Sequence, residues 1–513
     1  MAIKITLLIA FFAVMVVVGI LCRRHATDVN GFVLGGRSVG PWLTAFAYGT
    51  SYFSAVIFIG YAGQFGWKFG IASTWIGIGN AILGSLLAWV ILGRRTRLLT
   101  QRLGTATMPE FFGERFSSPA LKTVAAVIVF VFLVPYTASL YNGLSRLFSM
   151  AFNIDYAVCI IVMAVLTGIY VIAGGYMATA VNDFIQGIIM LFGIVAVIAA
   201  VLSKNGGFTA SLAALANVSD ASSEATQIPG VFASFFGPDP LGLLSVVILT
   251  SLGTWGLPQM VQKFYAIKSE KAISKGTVIS TLFAIVVAGG CYFLGGFGRL
   301  FDIDVAALGF DAIIPKMLET LPDILMAIVV ILVLSASMST LSSLVLTSSS
   351  TLTIDIIKPV SKKMDEKKQI LTIRIFVGVF VIISAVLALI QYKLNISSIA
   401  QLMGISWGAL AGAFLAPFVY GLYWKRTTAA GCAASFVFGI GVMVANMIFK
   451  PYFPTVLQSP INCGAFVMLA GLIIVPVVSL ITKKPDPEKI DDMFKVYNEK
   501  VLGSAKDFLG DNN

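Results

Sequence analysis

The sequence is poor in charge and in the side chains that carry most enzyme chemistry. Only 12% of its 513 residues are charged, and a single histidine occurs, at position 25. A water-soluble domain carries about 25% charged residues. A chain this apolar, with a mean hydropathy of +0.93, indicates a protein that crosses a membrane many times. The composition therefore excludes a soluble globular protein.

Residues for catalysis or metal binding are equally scarce. The sequence has no phosphate-binding GxxxxGK[ST] loop and no cluster with metal-ligand spacing. His25 stands beside Arg23 and Arg24, where we expect a solvated position rather than catalysis. We expect the five scattered cysteines to be packing residues of membrane spans: Cys22, Cys159, Cys291, Cys432 and Cys463. An enzyme and a carrier driven by its own ATP hydrolysis are both disfavoured.

Apolar stretches of about 20 residues predict thirteen membrane-spanning helices in an all-α polytopic membrane protein. The first lacks the basic region and small-residue cleavage site of a signal peptide, so we expect it to remain uncleaved. The predicted spans lie near residues 4–22, 40–65, 70–93, 120–150, 156–175, 178–202, 238–262, 276–298, 322–352, 370–391, 396–422, 428–449 and 460–482.

Basic residues between the spans predict the orientation in the cell membrane. Cytoplasmic loops are enriched in lysine and arginine, and this rule places the N-terminus outside and residues 483–513 in a cytoplasmic tail. The external loops then keep few basic residues, such as Lys204, Lys393 and Lys450. The net charge of +11 forms short clusters between spans rather than one basic surface, so nucleic acid is not an expected partner. The cytoplasmic side receives Arg23, Arg24, Arg94, Arg95, Arg97, Arg102, Lys263, Lys268, Lys271, Lys275, Lys358, Lys362, Lys363, Lys367, Lys368, Lys425, Arg426, Lys483 and Lys484.

Glycines, hydroxyl residues and a proline interrupt two apolar segments, 45–63 and 246–261. Irregular backbone at membrane depth is tolerated only where it lines a protein-enclosed cavity. Paired breaks of this kind indicate the binding site of a secondary transporter. If the first span is peripheral, residues 40–202 and 238–422 form two five-span halves, each opening with a broken segment, as in an inverted repeat. The alternative is that glycine-rich spans simply pack closely.

Hydroxyl groups cluster in the predicted ninth span. Ser339, Ser342 and Ser343 fall at positions i, i+3 and i+4, so their hydroxyls share one face of a helix. Neutral oxygens suit a hard monovalent cation, and carbonyls freed at the first break, as at Thr50 and Phe53, would add to them. The alternative is that the serines bond only to carbonyls of their own helix.

A second polar group follows Gly174 and Gly175, where Asn182, Asp183 and Gln186 open the sixth span. An acid within a span is costly and is a functional-site candidate by default. Asp183 could therefore complete a second cation site with the serines of the ninth span. The alternative is an acid that the N-terminal helix dipole stabilises.

Four segments, in order along the chain, resemble the sodium:solute symporter family, and the resemblance covers about residues 1–482. This family includes bacterial proline, pantothenate, sialic acid and galactose symporters and animal iodide, glucose and monocarboxylate carriers. The segments are FVLGGRS at 32–38, GGYMATAVNDFIQ at 174–186, ASMSTLS at 336–342 and WKRTTAAG at 424–431.

The resemblance implies a five-plus-five inverted-repeat core with broken helices, the LeuT-like fold. Residues 428–482 would add two C-terminal spans. It also implies one sodium ion between the second and ninth spans, held by the carbonyls of Thr50, Phe53 and Ala336 and the hydroxyls of Ser339 and Thr340. A second sodium site, as in some relatives, would combine Asp183 with Ser339, Ser342 and Ser343.

The expected solute residues lie around the two breaks. Tyr52 stands where the proline branch has an aspartate, and Thr250 and Thr254 stand where it has aromatic residues. Val56 and Ile57 replace polar residues that sugar carriers use. These differences disfavour a sugar and count against proline, leaving a small organic acid or an amino acid as the preferred solute. The candidate solute residues are Ser51, Tyr52, Ser54, Tyr136, Thr250, Thr254 and Trp255.

The expected function is sodium-coupled import of a small organic solute by alternating access, with sodium as the co-transported ion. The bilayer, sodium and the solute are the expected partners, and no obligatory protein partner is implied. Two alternatives stay open. One is a proton-coupled carrier of the same fold that relies on Asp183. The other is a sodium-conducting channel or a sensor derived from such a carrier.

Overall fold

The computed structural model describes residues 2–22, 27–319, 321–361, 364–394 and 398–501. Within these ranges no strand forms, and the only strand-like pairing is a parallel bridge between Val39 and Ile267. Helices satisfy their own backbone groups, which is what a lipid environment demands. The prediction of an all-α protein is confirmed. His25, Lys362 and Lys363 lie outside the described residues, as do residues 502–513 of the predicted tail.

The first part of the chain contains the expected broken segment and a long kinked helix. Its helices are α1 Ala2–Cys22, α2 Val29–Leu34, α3 Pro41–Tyr52, α4 Ala62–Phe69, α5 Thr74–Gly79, α6 Arg94–Arg102, α7 Met108–Arg115, α8 Pro119–Phe152, α9 Tyr156–Lys204 and α10 Phe208–Ala216. Wider π-helical turns at Val56–Tyr61, Asn80–Leu87 and Trp89–Gly93 connect several of them.

The second part contains the other broken segment. Its helices are α11 Pro240–Gly256, α12 Pro258–Ala266, α13 Glu270–Ala284, α14 Gly290–Gly295, α15 Val305–Leu308, α16 Ile313–Glu319, α17 Asp323–Thr351, α18 Lys358–Val360, α19 Glu366–Leu394, α20 Ile399–Tyr423, α21 Ala429–Ile448, α22 Pro460–Ile481 and α23 Pro487–Lys495.

The first break occurs at Phe53. Helix α3 ends at Tyr52, Phe53 has extended backbone angles (φ −81°, ψ 123°), and helical turns resume at Val56. The carbonyls of the last three residues of α3 therefore lack the partners that a continuous helix would supply. Gly49 in that turn faces the ring of Phe283, which would lie 2.4 Å from an added Cβ. The break predicted within 45–63 is confirmed.

The second break occurs at Leu257, where α11 and α12 meet at 47°. Leu257 has almost the same extended angles as Phe53 (φ −86°, ψ 121°). Proline disfavours the helical region in the residue before it, so Pro258 accounts for the break. The break predicted within 246–261 is confirmed. The Val39–Ile267 bridge joins the segment before α3 to the end of α12, and so ties the two broken segments together.

Helix α9 contains a third interruption, at Gly175, where φ is +57°. A Cβ at this position would lie 2.8 Å from the carbonyl oxygen of Phe32, so both the backbone conformation and the contact require glycine. The interruption coincides with the expected division between spans 156–175 and 178–202.

Ten described helices are long and apolar enough to cross a membrane, or eleven if the bent pair α11–α12 is one span. The expected number was thirteen. One cause is that Val56–Arg102 forms one continuous candidate, which joins the end of the second expected span to the third. The fifth and sixth expected spans form the single kinked helix α9.

Helix α17 lies at the centre of the protein. Every residue from Leu332 to Thr351 is buried, including all of its serines and threonines. It contacts α1, α3, α8, α9 and α19. The hydroxyl groups predicted to bind a cation therefore face protein rather than lipid.

Candidate cation and solute site

Five oxygens from α3 and α17 converge at the first break. The Ser339 hydroxyl lies within hydrogen-bond distance of two carbonyl oxygens, those of Thr50 at 3.0 Å and Ala336 at 3.1 Å. The Thr340 hydroxyl lies 3.0, 3.3 and 3.1 Å from the carbonyl oxygens of Thr50, Phe53 and Ala336. These are the five residues expected to hold the first sodium ion, and we call them the cation cluster.

The cation cluster exists because the break frees carbonyls that α17 then meets. Thr50, Ser339 and Thr340 are fully buried, and Phe53 is nearly so. Carbonyls only accept hydrogen bonds, whereas hydroxyls both donate and accept, so the hydroxyls can turn their lone pairs toward a bound cation. The cluster is neutral and rich in oxygen, which suits a hard monovalent cation.

We call Asp183, Ser342 and Ser343, residues of the expected second sodium site, the second polar cluster; Asp183 forms no hydrogen bond to either serine. The Ser343 hydroxyl lies 2.9 Å from that of Ser51 on α3. The Ser342 hydroxyl turns back to the carbonyl of Ser339 at 2.9 Å. Both carboxylate oxygens of Asp183 are buried and have no hydrogen-bond partner within the described ranges.

Lys263 reaches this second polar cluster. Its ammonium donates to the Ser343 hydroxyl at 3.0 Å and lies 5.1 Å from the centre of the Tyr176 ring. The side chain is only 2% exposed. The sequence analysis placed Lys263 among the basic residues of a cytoplasmic loop, and that placement is wrong. Helix α12 continues after the break as far as Ala266, so Lys263 lies within it and points into the protein.

Two of the expected solute residues lie around an aromatic group near the first break. The rings of Tyr52 and Tyr136 lie 5.7 and 5.8 Å from that of Trp407 on α20. The Tyr52 hydroxyl accepts a hydrogen bond from the amide of Asn80, whose oxygen accepts from Ser251 at 3.0 Å. The Tyr136 hydroxyl and the Trp407 indole N–H are buried and find no partner in the described part of the chain.

The other expected solute residues have partners elsewhere. Thr254 donates to the carbonyl of Gly84 at 3.0 Å, and the Trp255 indole donates to that of Leu83 at 2.9 Å. Thr250 donates to its own helix, at Val246. Ser54 accepts from the amide of Val56, and Ser51 joins Ser343. Ser51 thus belongs with the second polar cluster, and Trp255 contacts the backbone of a neighbouring segment.

A small cavity of about 20 Å³ lies beside the first break. No charged residue occurs in its lining, so an ionic group of a solute there would be held by neutral donors, helix ends or a bound cation. The lining includes Tyr48, Tyr52, Phe53, Asn80, Thr254 and Ser280.

Sequence reasoning missed Asn80, Trp407 and Gln259. Asn80 carries an amide within an otherwise apolar span. A lone polar side chain of this kind could have identified it as a candidate site residue. Gln259 follows Pro258 at the second break; it is buried, and neither end of its amide has a hydrogen-bond partner among the residues described. Nothing in the sequence distinguished Trp407 from the other aromatic residues of the spans.

Comparison with known proteins gives a consistent result along nearly the whole chain. Residues 32–439 match the sodium:solute symporter family. The chain is 30% identical over 508 residues to the sodium/proline symporter of Staphylococcus aureus strain JH9, covering 95% of this chain and 94% of that protein. It is 28% identical over 488 residues to the osmoregulated proline transporter of Bacillus subtilis strain 168, covering 93% and 94%.

The fold also has a solved counterpart. A substrate-bound, outward-open structure of a Na⁺-coupled sialic acid symporter superimposes with a TM-score of 0.71 over 94% of this chain and 99% of that one, at 17% sequence identity. The similarity confirms the fold, with its broken helices and inverted repeat.

Proposed function

Because the chain belongs to the sodium:solute symporter family, we propose that it is a secondary active carrier that couples sodium influx to the import of a small organic solute. Family membership also agrees with the prediction of a transporter rather than an enzyme. The observation that carries the proposal is the cation cluster, in which hydroxyls of α17 meet carbonyls that the break in α3 leaves free.

In this proposal, sodium binds to the carbonyls of Thr50, Phe53 and Ala336 and the hydroxyls of Ser339 and Thr340. Sodium from outside would fix α3 against α17 and so complete the neighbouring solute site. The coupling is reciprocal. Sodium raises the affinity for solute by some factor, and solute must raise the affinity for sodium by the same factor. A membrane potential that is negative inside adds about 2.3 kcal/mol per charge for each 100 mV to the free energy that drives sodium inward.

We propose that the solute carries a carboxylate and is an amino acid or a small organic acid. The Tyr136 hydroxyl and the Trp407 indole N–H support this, since both are buried donors that lack a protein partner among the described residues. A carboxylate accepts hydrogen bonds from such donors. Tyr52, Asn80 and Thr254 would line the remainder of the site. Proline is the first solute to test, because both relatives compared above are named as proline transporters.

The proposed domain organisation follows the two breaks. Residues 40–202 and 238–422 form the two repeats, with the span at 4–22 peripheral and two further spans at 428–482.

The proposed location is the cell membrane, with the N-terminus outside and residues 483–513 in the cytoplasm. The distribution of lysine and arginine between the spans supports this orientation. The expectation that neither nucleic acid nor another protein is required belongs to the same proposal.

Proton coupling on the same fold is the second candidate function. The observation that favours it is a pair of buried ionisable groups, Asp183 and Lys263, inside the membrane-spanning region. A channel or sensor would instead show unitary sodium currents or solute-independent signalling.

Uptake into proteoliposomes separates these candidates. Vesicles containing the purified protein receive labelled proline, pantothenate, pyruvate or short carboxylates under an inward sodium gradient, or under an inward proton gradient in potassium. The proposal predicts accumulation of one solute only in the sodium gradient. Accumulation driven by protons without sodium would support the second candidate and reject sodium coupling.

A further inference from the structure

The protein interior contains the ammonium of a buried lysine, Lys263. Helix α12 carries it beyond the second break into the second polar cluster, where it is almost completely buried. Lysine is costly within a membrane protein unless a partner compensates its charge. The proposed sodium site does not use this side chain.

Short contacts connect Lys263 to the cation cluster. Its ammonium donates to the Ser343 hydroxyl at 3.0 Å, and that hydroxyl lies 2.9 Å from Ser51. Ser51 follows Thr50, whose carbonyl oxygen accepts from both Ser339 and Thr340. The lysine of one broken segment therefore reaches the cation cluster of the other through two hydroxyl groups.

The charges of this region favour one cation at Asp183 over two. The Asp183 carboxylate is fully buried without a hydrogen-bond partner among the described residues, and the buried Lys263 ammonium donates to Ser343, another residue of the expected second sodium site. A buried carboxylate needs a compensating positive charge. A sodium ion at Asp183, Ser342 and Ser343 would share that single carboxylate and the Ser343 hydroxyl with an ammonium. Two cations that bind the same buried hydroxyl repel each other strongly.

We propose that the ammonium of Lys263 is the resident cation of the second polar cluster and takes the place of a second sodium ion, so that one sodium ion is transported per solute. This inference depends on the proposed sodium-coupled function. It revises the expectation of a second sodium site at Asp183, Ser339, Ser342 and Ser343. A tethered cation balances Asp183 throughout the cycle and is never released.

The coupling ratio tests the proposal on the unaltered protein. In proteoliposomes, the fluxes of labelled sodium and labelled solute are measured together. A second measurement finds the membrane potential at which net flux is zero under a fixed solute gradient. We expect one sodium ion per solute and a Hill coefficient for sodium near one. A ratio of two would overturn the proposal while leaving sodium-coupled transport intact, whereas uptake without any sodium dependence would overturn the proposed function itself.

Variants test whether Lys263 and Asp183 compensate each other. Asp183→Asn leaves the ammonium without its acid, and we expect at least a tenfold loss of uptake. Adding Lys263→Met to that variant removes the stranded charge, so the double variant should recover sodium-dependent uptake at a ratio of one. Lys263→Arg keeps the charge and is the matched control. A double variant no more active than Asp183→Asn would contradict the compensation.

The single variant Lys263→Met gives the sharpest result. With Asp183 intact and the ammonium absent, the second polar cluster should admit sodium, and the coupling ratio should rise from one toward two. A ratio that stays at one in an active Lys263→Met protein would overturn the proposal. If this variant does not fold, the ratio of the unaltered protein and the double-variant comparison still decide the matter.

Discussion

The hydroxyl of Thr340, near the middle of α17, lies 3.3 Å from the carbonyl oxygen of Phe53, the residue at which α3 ceases to be helical. This contact joins the fully buried part of α17 to the irregular backbone of the first broken segment. A cation at this point would contact both elements at once. Its binding would therefore depend on how α3 and α17 are arranged, which is the requirement for coupling an ion to a conformational change.

The hydroxyls of the cation cluster should determine sodium activation. We expect Ser339→Ala or Thr340→Ala to raise the sodium concentration for half-maximal uptake about tenfold, equivalent to about 1.4 kcal/mol. Solute affinity at saturating sodium should change much less. Ser349→Ala is the matched control, because this buried hydroxyl of the same helix bonds only to its own helix, at Val345. Equal sodium dependence in all three variants would contradict the assignment.

The unpartnered hydroxyl of Tyr136 should bind solute. Tyr136→Phe removes one donor and keeps the ring beside Trp407, so we expect the KM for solute to rise about tenfold, the loss of about 1.4 kcal/mol of binding. Sodium activation at saturating solute should stay the same. Tyr141→Phe is the control, since Tyr141 is also buried on α8 with no hydroxyl partner in the described ranges. Equal effects of the two substitutions would argue against a direct contact with solute.

The kink at Gly175 should resist substitution. Gly175→Ala places a methyl group near the Phe32 carbonyl and forces a positive φ, so it should destabilise the protein by about 1–3 kcal/mol. Gly168→Ala on the same helix meets no atom within 4 Å and should be neutral or slightly stabilising. Thermal unfolding of the two purified variants in detergent measures the difference. Equal unfolding midpoints would show that the kink does not require glycine.

The hydrogen bond between Tyr52 and Asn80 should affect solute more than sodium. Tyr52→Phe leaves the buried Asn80 amide without this partner, a loss of about 1–3 kcal/mol. We expect a higher KM for solute or altered solute preference. Tyr420→Phe removes a comparable bond to the Leu472 carbonyl, away from the cavity, and should change only stability. A Tyr52→Phe protein that unfolds earlier but transports normally would assign this bond to packing alone.

The breaks could be predicted because local chemistry determines them, and the five residues of the cation cluster because the family resemblance implied them. Pro258 disfavours a helical residue before it, and serines at i, i+3 and i+4 share a helix face wherever that helix lies. The cation cluster followed from the family resemblance together with this spacing. Its predicted members are adjacent in the structure, although α3 and α17 are far apart in the sequence.

Side-chain direction could not be predicted in the same way. Lys263 follows the pattern of a cytoplasmic basic residue, and only the length of α12 beyond its break turns it inward. Asn80 meets Ser251 across 171 positions of sequence, a contact that depends on how two spans pack. Ser51 lies one residue from Tyr52 in the chain, but its hydroxyl faces Ser343 rather than the aromatic group.

The most direct test of sodium binding at the first break is the thermal stability of the detergent-purified protein in sodium and in potassium at equal ionic strength. A ligand that binds only the folded state at about 100 times its dissociation constant adds about 2.7 kcal/mol of stability. We predict a sodium-specific rise in the unfolding midpoint that is lost in Ser339→Ala and kept in Ser349→Ala. Equal midpoints in the two salts, or a sodium effect that survives Ser339→Ala, would contradict a sodium site at the break in α3.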